Sequence, residues 1–317
     1  MHPATDVAAS PAERAATEVR RRRANPLVIA GLVVLAPLVL VAVLAPLVAP
    51  HDPNQQFREG LSPEGMPVPP CAQFLLGSDS LGRDVLSRVL FGARISLTVG
   101  AIAMLTALLV GGAVGLLAGY FGRATDTVLM RLTDMTMTIP ALLLAIAFAG
   151  LMDGRKIHLH PHSLPWHWLD LELRRGIVSV LLVIGLVSWT GIARVVRGVV
   201  LSLKEREFVE AARAVGCSHW RIIGRHILPN ALPSIIVVAV MGTAGTIALE
   251  AGLSYLGIGV PPPAPSWGGM ISDGQPYLLV APWLVLPPGL AVVLAVVGFN
   301  LLGQGLQDVL DPHQRRQ

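Results

Sequence analysis

Six long apolar segments, each of about 20 residues, restrict the folds that this chain can adopt. A helix of that length crosses the hydrocarbon core of a bilayer and satisfies its backbone donors and acceptors within itself. The composition agrees, because 53% hydrophobic and 14% charged residues would be unusual in a soluble domain. We therefore predict an all-α integral membrane protein with six transmembrane helices. The predicted spans cover residues 27–48, 95–120, 129–151, 177–200, 232–249 and 283–302.

The sequence divides into four predicted regions. Residues 1–25 are polar, rich in Ala and Pro, and contain a run of arginines, so we expect a disordered cytoplasmic tail. Residues 26–93 are predicted to hold the first transmembrane helix and an extracytoplasmic loop with an interfacial helix. Residues 94–305 would form a domain with the five remaining helices, followed by a cytoplasmic C-terminal tail over residues 306–317.

The distribution of Lys and Arg predicts the orientation in the cell membrane, since cytoplasmic segments carry an excess of both residues. With the N-terminus inside, sixteen of the 24 basic residues fall on the cytoplasmic side. Both termini and the polar segment 202–230 are then cytoplasmic. The same topology places Cys71 and Cys217 on opposite sides of the membrane, which excludes a disulfide between them. The basic residues accompany no aromatic-basic motif, so nucleic acid is not an expected partner.

The polar segment 202–230 lies between two apolar runs and has a helical pattern of its own. Ser202 and Glu205 stand in capping-box register, which predicts that a helix begins there. An apolar stripe follows at i, i+3, i+4 and i+7, formed by Phe208, Ala211, Ala212 and Val215. Gly216 is predicted to end this helix in a left-handed conformation, with a second short helix before Pro229. By pattern alone, an amphipathic helix resting on the membrane surface fits as well.

The motif Glu210-Ala211-Ala212, followed by Gly216 and then by Leu228-Pro229, resembles the EAA signature of type I permeases of ATP-binding-cassette (ABC) importers. In that family this loop docks into a groove on a cytoplasmic ATPase subunit. The resemblance implies a type I ABC importer permease fold with a cytoplasmic coupling helix. It also implies ATPase-coupling roles for Glu207, Glu210, Ala211, Ala212, Gly216, Arg221 and Pro229. At the position where the family usually has Ile, this sequence has His226. The resulting sequence His-Ile-Leu-Pro-Asn is similar to that of the dipeptide/oligopeptide branch of the family.

A second motif precedes the second span, at residues 76–84, with the sequence Leu-Gly-Ser-Asp-Ser-Leu-Gly-Arg-Asp. It resembles a further signature of peptide importers, whose residues here are Gly77, Asp79, Gly82, Arg83 and Asp84. From the spacing we expect a short helix along the membrane interface, stabilised by an i, i+4 pair between Asp84 and Arg88.

Together these motifs are similar to the second (C-type) permease subunit of the binding-protein-dependent dipeptide/oligopeptide (nickel) transport family. The resemblance implies four partners besides membrane lipid: a homologous permease subunit, two ATPase subunits that hold ATP and Mg²⁺, and an extracytoplasmic solute-binding protein. It implies dipeptides or short oligopeptides as cargo, with nickel, glutathione or haem as alternatives. No cofactor is expected in this chain.

Two other classes of membrane protein fit the sequence less well. An ion-coupled carrier needs ionisable groups near the membrane midplane, yet the centres of the predicted spans contain no Asp, Glu, Lys or Arg. A membrane hydrolase needs a nucleophile and base, or a metal set, at membrane depth, and every His falls in a predicted loop or tail. Neither Lys156 nor Lys204 follows a Gly-rich phosphate-binding loop, so we expect any ATP hydrolysis to occur in separate subunits.

Three local features complete the prediction. Gly111, Gly115 and Gly119 recur every four residues, which predicts a helix face that another helix approaches closely. Pro140 is expected to kink the third span. The outer loop carries His158, His160 and His162, which could bind a metal ion. No Asp, Glu or Cys lies within the run, and His also favours the membrane interface, so no metal site is predicted.

Overall fold

The computed structural model describes residues 25–152 and 175–310, and every named element in these ranges is helical. The helices, in chain order, are α1 Pro26–Val48, α2 Val85–Phe121, α3 Arg123–Thr138, α4 Ala141–Met152, α5 Arg175–Lys204, α6 Glu207–Ala214, α7 His219–Ile222, α8 Leu228–Tyr255, α9 Trp267–Gly274 and α10 Leu286–Leu310. A π-helical turn, Ile223–Ile227, joins α7 to α8. Short 3₁₀ turns occupy Arg58–Gly60, Gln275–Tyr277 and Pro282–Leu284.

The prediction of a helical membrane protein is confirmed. Five helical runs in the described ranges are long and apolar enough to cross a bilayer, and a sixth span results if α3 and α4 count as one. The five runs are Pro26–Val48, Val85–Phe121, Val180–Lys204, His219–Tyr255 and Pro282–Leu310.

The third predicted span is broken rather than kinked, since α3 and α4 meet at an angle of 87°. Ile139 has an extended backbone at the break, with φ −88° and ψ 125°. Pro140 explains this conformation, because its ring disfavours helical dihedrals in the residue before it. The two acidic residues of α3 pair with α5: Asp126 accepts from Arg197, and Asp134 lies 2.6 Å from Arg194.

The predicted interfacial helix is not a separate helix but forms the first turns of α2. The Asp84 carboxylate accepts a hydrogen bond from the Ser87 amide and so caps a helix that continues unbroken for 37 residues. The predicted Asp84–Arg88 pair does not form. Arg88 lies 3.4 Å from Asp79 instead and donates to the Pro53 carbonyl oxygen, which anchors the outer loop.

Small residues bring the membrane helices together. Gly111, Gly115 and Gly119 of α2 lie against α5, as their four-residue spacing predicts, and a Cβ at any of them would collide with that helix. Helix α1 packs antiparallel to α10, with Gly31 against Leu302 and Gly298 against Leu35. The fold thus has a tightly packed α2–α5 pair and a second pair that contains the first and last helices.

Candidate functional site

The segment Glu207–Ile227, termed the hairpin below, joins α5 to α8 and contains most of the predicted coupling residues. Its start differs from the prediction: α5 continues to Lys204, so Ser202 lies inside that helix and donates to the Val199 carbonyl instead of capping a new one. Helix α6 begins at Glu207 after Arg206, whose backbone is extended. A capping box depends only on neighbouring residues in the chain. Here the packing of α5 along α2 extends that helix past Ser202, so the predicted cap does not form.

Gly216 ends α6 as predicted, with a left-handed φ of 80°. The Gly216 amide donates to the Arg213 carbonyl, and the Cys217 amide donates to that of Ala212. These two bonds form a Schellman motif, which satisfies the last carbonyl groups of the helix and reverses the chain. The bend is therefore fixed by backbone hydrogen bonds and by a residue without a side chain.

The second half of the hairpin does not end before Pro229, contrary to the prediction. Helix α7, the π turn and α8 form one continuous helical run from His219 to Tyr255. The Leu228 amide donates to the Ile223 carbonyl, a π-type bond that widens the helix just before Pro229. A wider turn accommodates the proline ring, which would clash with the i−4 carbonyl of a regular α-helix. The hairpin is thus continuous with the membrane helix α8.

One face of the hairpin packs against the chain itself. Val209, Ala212 and Ile222 are buried in a cluster that also contains Val196 and Val200 of α5. Ala212 therefore contributes to internal packing, which corrects its predicted place in a stripe available to a partner. The helix face that turns inward is centred on Val209, one position away from the predicted stripe, because the tight turn after Lys204 sets the rotation of α6.

The opposite face of the hairpin is exposed and carries both apolar and charged side chains. Val215 is 84% exposed, Trp220 68% and Phe208 38%, which is unusual for large apolar residues outside a membrane span. The predicted coupling residues that are exposed on the hairpin are Glu207, Glu210, Ala211, Gly216 and Arg221, and Pro229, just after the hairpin in α8, is exposed as well. The hairpin therefore presents a mixed apolar and charged surface next to a buried, well-packed base.

The outer motif forms a buried polar cluster at the start of α2. Asp79 lies 2.6 Å from Arg83 and 3.4 Å from Arg88, and Asp84 is fully buried. Gly77 and Gly82 adopt left-handed φ values of 76° and 74°. Burial raises the pKa of nearby Asp273, with Asp79 adding to the rise and both arginines opposing it. The motif therefore stabilises the outer loop and the entry into α2.

Sequence reasoning did not find a second buried polar cluster, centred on Glu250 of α8. Its fully buried carboxylate accepts hydrogen bonds from Ser254 at 2.7 Å and from Ser96 of α2 at 3.2 Å. The Ser96 hydroxyl in turn accepts from the Trp267 amide at the start of α9. The i, i+4 spacing of Glu250 and Ser254 was visible in the sequence. The contact with Ser96 joins residues 154 positions apart and was not.

The histidines proposed as weak metal ligands, His158, His160 and His162, lie outside the described residues. Within the ranges that the structure covers, no group of three His, Cys, Asp or Glu side chains is placed to hold a metal ion.

Comparison with protein families identifies the chain. The family described as the inner membrane component of binding-protein-dependent transport systems matches residues 111–316, which is more than half of the sequence. The chain belongs to this family. Residues 16–63 of this chain also match a second family, described as the N-terminal transmembrane domain of oligopeptide transport permease C. The predicted coupling residues of segment 202–230 lie within the first of these matches, whereas the outer motif at residues 76–84 lies between the two.

Individual relatives align with nearly the whole of this chain. The dipeptide transport permease DppC of Alkalihalophilus pseudofirmus is 37% identical over 93% of this chain and 89% of its own length. The glutathione transport permease GsiD of Pectobacterium atrosepticum is 38% identical over 92% and 88%. The oligopeptide permease OppC of Bacillus subtilis is 35% identical over 93% and 88%.

A solved structure supports the fold. The methionine ABC transporter MetNI, in an inward-facing conformation, contains a chain that matches with a TM-score of 0.52 and 18% sequence identity. The match covers 71% of this chain and 96% of that one. The predicted permease fold of a type I ABC importer is therefore confirmed.

Proposed function

We propose that this chain is the membrane permease subunit of an ATP-driven importer that translocates dipeptides or short oligopeptides. The relatives named for dipeptide and oligopeptide transport, each aligned over more than nine-tenths of this chain, support that cargo. Glutathione is itself a tripeptide-like molecule, so the glutathione permease relative is compatible with the same substrate class. Nickel and haem are the alternative cargoes.

The observation that carries this proposal is the division of the hairpin into a buried and an exposed face. The buried face joins the hairpin to α5 through a cluster that includes Val209 and Val200. The exposed residues of the hairpin include Trp220 and Val215, and also Glu207 and Glu210 of α6. Large apolar side chains surrounded by charges are typical of a protein–protein contact surface. In this proposal an ATPase subunit binds that face.

The orientation follows from the same assignment. An ATPase in the cytoplasm requires the hairpin and both chain termini to be cytoplasmic, as the excess of Lys and Arg on that side also predicts. The outer loop, with Asp79 and Arg83 at its base, then faces the solute-binding protein that delivers substrate. ATP and Mg²⁺ are bound by the ATPase subunits, and their closure would rotate the hairpin and alternate the access of the membrane path.

The test is reconstitution of the chain into vesicles, first alone and then with its partners. We expect no ATP hydrolysis and no uptake by the chain alone. Peptide uptake should appear only when a homologous permease, two ATPase subunits, a binding protein and ATP are all supplied. Uptake by the lone chain in response to a proton or sodium gradient would contradict the proposal and favour a secondary carrier, for which the buried Glu250 would be the first residue to examine.

A further inference from the structure

A buried side chain in the last turn of α2 contacts the hairpin. Tyr120 is 6% exposed, and its hydroxyl lies 2.8 Å from Nδ1 of His219, the first residue of α7. The two rings also meet edge to face, with centroids 5.7 Å apart. A hydrogen bond combined with an aromatic contact holds this pair in one geometry more firmly than either interaction alone.

The same turn of α2 contacts both helices of the hairpin. The Arg213 guanidinium, on α6, lies 5.9 Å from the centroid of the Tyr120 ring. Phe121 packs against His219 at 5.9 Å and against Trp220 at 6.3 Å between ring centroids. Because α6 and α7 are joined by the bend at Gly216, contacts to both fix the orientation of the whole hairpin relative to α2.

The chain connects the hairpin directly to α5 and α8, but not to α2. Immediately after Phe121 the chain turns away at Gly122, with a left-handed φ of 65°. Any movement of the hairpin can therefore reach α2 only through non-covalent contacts or through α5. The glycine face of α2 already packs along α5, and the Lys204 ammonium group donates to the Gly119 carbonyl at 3.1 Å. The α2–α5 pair is thus tightly packed, and Tyr120 lies where α2 touches the hairpin.

We propose that Tyr120 and His219 form a positioning pair that makes α2 a lever, so that rotation of the hairpin moves α2 and α5 together. This inference rests on the proposed function, since it assumes that an ATPase moves the hairpin. Without the pair, the hairpin keeps its exposed surface for the ATPase and its attachment to α5 and α8, but it is coupled less tightly to α2. Neither residue touches substrate or nucleotide in this scheme.

The experiment uses the complete complex in vesicles with the variants Tyr120→Phe and His219→Ala, and with both changes combined. Tyr120→Phe removes one hydroxyl group and keeps the packed ring, so folding is preserved. Three quantities are measured: binding of the ATPase subunits, ATP hydrolysis, and peptide molecules imported per ATP. Tyr277→Phe, the same chemical change near the outer cluster, is the matched control.

We expect each single variant to bind the ATPases as the wild type does and to hydrolyse ATP. Import per ATP should fall about threefold to tenfold, the range that loss of one hydrogen bond predicts. The double variant should fall no further than His219→Ala alone, because both changes remove the same contact. Tyr277→Phe should import normally.

Two results would overturn the inference. Unchanged import per ATP in both single variants would show that the pair transmits nothing, and loss of ATPase binding would assign the pair to docking. Failure of the proposed function has a different signature, because the wild-type complex would then show no ATP-dependent import.

Discussion

Gly119 of α2 lies against Val200 of α5 without room for a side chain between them. A Cβ at Gly119 would stand 2.8 Å from the Val200 Cβ and 3.0 Å from the Arg197 carbonyl oxygen. Gly112, on the same helix, differs: among the described residues no atom outside its own helix lies within 4 Å of the corresponding position. The two glycines thus provide a matched pair in one helix.

We predict that Gly119→Ala lowers the free energy of unfolding in detergent by about 1–3 kcal/mol, the usual cost of overpacking. Gly112→Ala should be neutral, or more stable by up to about 1 kcal/mol, because Ala favours helix over Gly. Thermal and denaturant unfolding of the two variants measures the difference. Equal shifts would mean that α2 and α5 are not in close contact at Gly119.

We expect the protonation of Asp273 to make the stability of the protein depend on pH. Partial burial raises the pKa of its carboxyl group above the ordinary 3.8, although Arg88 and Arg83 oppose the rise. The folded state therefore favours the protonated form, and the resulting stabilisation is fully present below the ordinary pKa and is lost as the pH rises through the raised one. Asp273→Asn, which is neutral at every pH, should be more stable than the wild type near neutral pH, but only slightly, because Asp273 is partly exposed to solvent. The gap should close as the solution is acidified.

Unfolding midpoints of Asp273→Asn and wild type across this pH range test the sign. If the variant is less stable at neutral pH, then ion pairing of Asp273 with Arg88 and Arg83 outweighs the cost of burial, opposite to our expectation.

The outer histidines provide a prediction about cargo. Replacing His158, His160 and His162 together with Ala should leave peptide uptake unchanged, with or without a chelator, because no metal is expected to act there. Uptake of labelled peptide and of nickel by the complete complex is measured in parallel. Loss of a metal-dependent uptake in the triple variant would favour nickel as the cargo.

Several features of the fold follow from local sequence. Apolar runs of membrane length predict the spans, a four-residue glycine repeat predicts the α2–α5 contact, and the Gly216 bend follows from its place after an amphipathic stretch. Each depends on residues close together in the chain, so the pattern and the structure share one physical cause.

The structure differs from the sequence predictions where residues far apart in the chain pack together. Asp84 was predicted to pair with Arg88, but Arg88 instead contacts Asp79 and the backbone of Pro53. Val209 faces inward because the turn after α5 sets the orientation of α6, and the spacing of apolar residues in the sequence does not reveal that turn. Glu250 directly follows the predicted span 232–249, and its position in a buried cluster depends on Ser96, on another helix.

We infer that the hairpin couples this permease to an ATPase, and the backbone conformation of Gly216 is essential to that role. Its φ of 80° is strained for any residue with a side chain, above all a β-branched one, whereas Asn tolerates this conformation. We therefore measure peptide import and binding-protein-stimulated ATP hydrolysis in complexes that carry Gly216→Val or Gly216→Asn. We expect Val to abolish both the stimulation and the import while the membrane helices remain folded, and Asn to retain most of each. Normal import and full stimulation with Val would contradict this inference.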